Sequence, residues 1–107
     1  MISMTFNQNA SDPDYTITLT NSDGTLPDLT GHTIQLSIID PLTATIVGTM
    51  TEAGSTYGQV VKAVNVVTVK PTLLALLNYA NYTCELWKTD GDPQLLDYGA
   101  FIVNRTR

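Results

Sequence analysis

Apolar and polar residues alternate in three separate stretches of this chain, and no other feature restricts its fold as much. Tyr15, Ile17 and Leu19 alternate with Thr16, Thr18 and Thr20. Ile34, Leu36 and Ile38 alternate with Thr33, Gln35 and Ser37, and Tyr82, Cys84 and Leu86 alternate with Thr83 and Glu85. Successive side chains of a strand point to opposite faces, so a period of two gives each segment one apolar and one polar face. Threonine suits the polar face, being β-branched, stiff at χ1 and still able to hydrogen-bond water. The chain holds 17 threonines in 107 residues, while charged residues make up only 14%; an average domain carries roughly 25%. The outer faces of a sheet protein are here built from threonine in place of charge.

Two further segments read as strands without clean alternation. Residues 60–70 carry Val60, Val61, Val64, Val66, Val67 and Val69, and residues 95–103 carry Leu95, Leu96, Phe101, Ile102 and Val103. Near-continuous apolar runs point to strands covered on both faces, with part of the cover supplied by a partner chain. A weaker strand lies around 43–50, where Gly48 interrupts it. Residues 71–77, opened by Pro71 and rich in leucine, predict one short helical turn crossing between sheets. Turn chemistry separates the elements: Asn21-Ser22-Asp23-Gly24, Asp28-Leu29-Thr30-Gly31, Asp40-Pro41, Glu52-Ala53-Gly54-Ser55 and Thr89-Asp90-Gly91-Asp92-Pro93. About seven strands in one domain over residues 1–107 predict an all-β, immunoglobulin-like two-sheet sandwich.

Composition removes several functions. The formal net charge is -5, with only five Lys and Arg, so no basic face is on offer to nucleic acid. A single cysteine, Cys84, excludes a disulfide framework. The longest apolar run, 73–77, is far short of the roughly 20 residues a spanning helix needs. The opening residues lack the basic and apolar regions of an export signal, so export by an ordinary signal is not expected. Asn9, Asn81 and Asn104 start N-x-S/T triplets that so threonine-rich a chain produces by chance.

Candidate chemistry is sparse. His32, the one histidine, enters a strand from a loop, and no nucleophile–base set accompanies it. Cys84 shares the apolar face with Tyr82 and Leu86, where a thiol is a small hydrophobe. Asp12 with Asp14, and Asp90 with Asp92, have D-x-D spacing without the remaining oxygens of a calcium loop, and turn chemistry accounts for them. The reading is a non-enzyme with no cofactor and no metal. Trp87 lies on the face opposite Cys84. With Tyr57, Tyr79 and Tyr98 it offers an interface anchor or a sugar-stacking platform, unless the second sheet covers it. The best contact candidates are Trp87, Leu95, Phe101 and Val103.

Asn78-Tyr79-Ala80-Asn81-Tyr82-Thr83-Cys84 resembles the approach to strand F of immunoglobulin domains. A tyrosine two residues before a cysteine there forms a structural corner, and Tyr82 stands in that place, although no second cysteine exists. Over a longer span the order is Ser22-Asp23-Gly24, then Pro27-Asp28-Leu29-Thr30-Gly31, a strand at 33–39, a valine-rich strand, a leucine turn, Tyr82 with its strand, Asp90-Gly91, and 95–103 with Gly99. This resembles the small immunoglobulin-like domains of tailed-phage virion proteins, the N-terminal domain of baseplate upper proteins above all. The resemblance implies a virion structural protein of tail, baseplate or head, assembled in the host cytoplasm and partnered by other virion proteins and by copies of itself; the short apolar runs imply no membrane insertion. The alternative is a carbohydrate-binding module for a cell-surface glycan.

Overall fold

Alternation does become strand pairing. In the computed structural model, which describes residues 2–7, 14–72 and 80–104, the chain is all-β. The strands are β1 (Ile2–Asn7), β2 (Tyr15–Thr18), β3 (Ile34–Asp40), β4 (Thr45–Thr51), β5 (Gly58–Ala63), β6 (Val66–Pro71), β7 (Ala80–Lys88) and β8 (Gln94–Asn104). Hydrogen bonding orders them β1-β8-β7-β3-β4-β5-β6-β2. All neighbours are antiparallel except β1 with β8 and β4 with β5, which run parallel. The β4–β5 junction is a single residue pair, Thr51 with Gln59. The order therefore divides into a five-stranded ladder and a three-stranded ladder joined at one point. Its two ends approach each other, the Ser3 amide donating to the Tyr15 hydroxyl at 3.4 Å, so the sheet nearly closes on itself.

One core fills the interior. Ile2, Met4 and Phe6 of β1 meet Ile34, Leu36 and Ile38 of β3, Met50 of β4, Val60 of β5, Val67 and Val69 of β6, Tyr82, Cys84 and Leu86 of β7, and Phe101 and Val103 of β8. Each fully buried aliphatic or aromatic side chain contributes about 1.5–3 kcal/mol. Three stretches read from the alternation thus supply β2, β3 and β7 with their inward faces correctly assigned.

Several expectations are corrected. Among the described residues there are eight strands against the seven or so expected, because β1 is added and residues 60–70 divide into two. Residues 60–70 are not one strand covered on both sides. They form the β5–β6 hairpin, with Ala63 paired to Val66 across a two-residue turn at Val64-Asn65. Val60, Val67 and Val69 point inward, while Val61 and Val64 are exposed. Val64 takes φ 54°, a conformation hairpin turns normally give to glycine or asparagine. The turn is tied down from outside: its Val64 carbonyl accepts from the Leu29 amide at 2.7 Å, and its Asn65 carbonyl from the Leu19 amide at 2.8 Å. Pro71 closes β6 instead of opening a helix; its place at a strand end costs no central ladder donor. Thr72 belongs to no regular element, and the rest of the expected helical turn, residues 73–77, lies outside those described. The weak strand at 43–50 is β4, and Gly48 belongs in it because the Tyr57 ring packs where a Cβ would stand.

Candidate functional site

The outward face of the five-stranded ladder carries the aromatic residue singled out in the sequence. Parity along β7 sends Cys84 and Leu86 into the core and Glu85 outward. A bulge between Leu86 and Trp87 then resets the register, so that Trp87 pairs with Leu95 and Glu85 with Tyr98. Trp87 is half-buried, and its indole N–H donates to Glu85 Oε1 at 3.1 Å. Leu95 is 40% and Tyr98 56% exposed. Between Tyr98 and Thr83 the small residues Gly99 and Ala100 leave a shallow groove of about 410 Å³. The next row toward β4 is Ser37 flanked by Glu85 and Thr49; Ser37 is 4% exposed.

A second feature lies at the end of the molecule where the 19–32 connection meets the β7–β8 hairpin. A cleft of about 270 Å³ there is lined by Leu19, Pro27, Asp28, Leu29, His32, Lys88 and Leu95 among others. Asp90 organises its rim: it accepts from the Thr33 amide at 2.9 Å and lies 3.0 Å from His32 Nδ1. Lys88 Nζ donates to the Asp90 carbonyl at 3.2 Å. The Thr33 amide bond, followed by the bond from His32, lowers the Asp90 carboxyl from 3.8 to about 2. Asp28 is lowered as well, first by the Thr30 hydroxyl and then by the Thr30 amide. The turn aspartates thus serve the loops, as their chemistry suggested.

The Asp90 clamp has a testable sign. Its folded pKa lies below the unfolded 3.8. Its contribution is therefore complete above that value and is lost as pH falls from there through about 2. Asp90→Asn removes the charge. Thermal melting should separate wild type and variant at mildly acid pH, and the gap should close at the acid end of that window. A gap that stays constant across it would show that the charge carries nothing.

The remaining candidates fall as follows. Phe101 and Val103, expected as contacts, are 0% and 2% exposed and lie in the core, because β8 points every second residue inward. Leu95 and Trp87 do share the outer face. Tyr82 is buried two residues before Cys84, and the upstream turn expected of a corner falls outside the described residues. Burial pushes the Cys84 thiol up to about 12, which disfavours the thiolate at neutral pH. Asp14 meets Lys70 Nζ at 3.3 Å, while Asp12 lies outside the described residues. Among the described residues no three His, Cys, Asp or Glu side chains converge on a metal-sized point. What sequence reasoning missed is Glu52, which joins the two ladders. Its Oε2 accepts from the Ile34 amide at 3.1 Å, its Oε1 from Lys62 Nζ, and its carbonyl from Gln59 Nε2 at 2.8 Å. A lone acid in a turn gives no sequence signal of that role.

No protein-family model, curated protein or solved structure matches the chain.

Proposed function

We propose that this chain is a structural docking module, a virion component of tailed-phage type that works by binding other proteins, on an immunoglobulin-like sandwich. The strand order supports the sandwich. The ladder β8-β7-β3-β4 has the order of strands G, F, C and C′ of a variable-type domain, and β5-β6-β2 has the order D, E, B. Tyr82 occupies the corner position on the strand equivalent to F. The observation that carries the docking reading is the outward Trp87–Leu95 pair with exposed Tyr98 beside it. Aromatic anchors on a rigid sheet, with little charge around them, are what interface centres are made of. Mass spectrometry of purified particles should find the protein at a fixed copy number, and its absence from particles would sink the reading. Trp87→Ala should weaken incorporation by about 30-fold, an anchor being worth about 2 kcal/mol.

A second reading, glycan binding, draws on the same face: Trp87 and Tyr98 flank the Glu85 carboxylate, two ring surfaces beside a hydrogen-bond acceptor. Glycan-array binding lost in Trp87→Ala, by a chain absent from particles, would favour it over docking.

A further inference from the structure

We propose that β4 is a strand-addition edge, at which a second copy of this chain docks β4 to β4, antiparallel about a twofold axis. β4 has a full partner on one side only. It pairs with β3 from Thr45 to Thr51 but meets β5 at the single pair Thr51–Gln59. The Ser55 hydroxyl donates to the Thr49 carbonyl. Among the described residues, no other backbone group of 45–50 is engaged outside the β3 ladder. Such a row of free N–H and C=O groups is a template for another extended strand.

The other edges are protected, whereas among the described residues the Ser55 bond is the one guard on this edge. β2 is four residues long, the Ser3 amide of β1 is taken by Tyr15, and β5 carries Lys62, held by Glu52. Between Pro41 and Thr51 no residue is charged, and Thr45, Ile46, Val47, Thr49 and Thr51 are all β-branched. Leu42 is 94% and Ile46 57% exposed beside this edge. A copy of the same strand is the occupant this composition suits. Antiparallel pairing about a twofold matches each donor with the identical copy's acceptor, and an uncharged segment set against itself meets no like charge. The two five-stranded ladders would then run on as one ten-stranded sheet, with the exposed apolar residues drawn to the junction. The inference rests on the sheet edge alone and is independent of the Trp87 face.

Light scattering on the purified chain at submillimolar concentration should give twice the 11.6 kDa monomer mass. Hydrogen exchange of the 45–50 amides should slow as concentration rises. Ile46→Lys, at an exposed position where lysine disturbs no core contact, should restore the monomer mass with unchanged circular dichroism. A wild-type monomer at that concentration would overturn the proposal. So would open-ended fibres, or a dimer that survives Ile46→Lys and is lost in Trp87→Ala.

Discussion

Gly99→Ala should strip β1 from the sheet and take most of the protein's stability with it. Ile2 pairs with Gly99 in the parallel β1–β8 ladder. A Cβ at residue 99 would stand 2.6 Å from the Ile2 carbonyl carbon and 2.7 Å from its nitrogen. Both are backbone atoms that no rotamer change can move aside, so β1 must retreat. Ile2, Met4 and Phe6, all buried to 2% or less, would leave the core with it. Losing even one such side chain costs about 2–5 kcal/mol, and a domain has about 5–15 kcal/mol in all. We expect a loss of at least about 4 kcal/mol, or about 20 °C in melting temperature for a domain of this size. The β1 amides should exchange at nearly the unfolded rate. A melting temperature within a few degrees of wild type would show that β1 is not anchored there. Gly54→Ala is the control: its surroundings are open, so only the strain of φ 93° remains, about 1 kcal/mol.

The same strand marks the limit of what the sequence made legible. Ile2, Met4 and Phe6 alternate with Ser3, Thr5 and Asn7 as cleanly as any stretch in the chain. Six residues at the start of the chain, with no turn signal before them, do not distinguish a strand from a leader segment by period alone. Where alternation continued unbroken between recognisable turns, as in β3 and β7, inward and outward residues could be assigned residue by residue. Two physical circumstances hid the rest. At Val64-Asn65 the chain reverses without Gly or Pro, because outside hydrogen bonds from Leu19 and Leu29 hold a turn its residues would not choose. At the β7–β8 bulge one extra residue changes parity, so the face of Leu95 cannot be extrapolated to Phe101. The outward placing of Trp87, opposite Cys84, was legible. Glu52 and the open edge of β4 were not, since both depend on which strands end up adjacent.

That parity decides the second large prediction. Phe101 and Tyr98 lie three residues apart on β8, and therefore on opposite faces: one is wholly buried, the other 56% exposed. Phe101→Ala should cost about 3–5 kcal/mol of folding stability, read as a lower urea midpoint at unchanged slope. Part of that cost lies in its contact with Phe6, whose ring centroid is 5.4 Å away at 51°, a geometry worth about 0.5–1.5 kcal/mol beyond burial. Phe6→Ala and Phe101→Ala should therefore cost less together than the sum of the two alone. Trp87→Ala, by contrast, should leave the urea midpoint close to wild type and act on docking. If Phe101→Ala melted like wild type while weakening assembly, β8 would have to present its other face to the core. The strand that binds β1 on one side and β7 on the other would then need a register shifted by one residue, which the Gly99–Ile2 approach forbids.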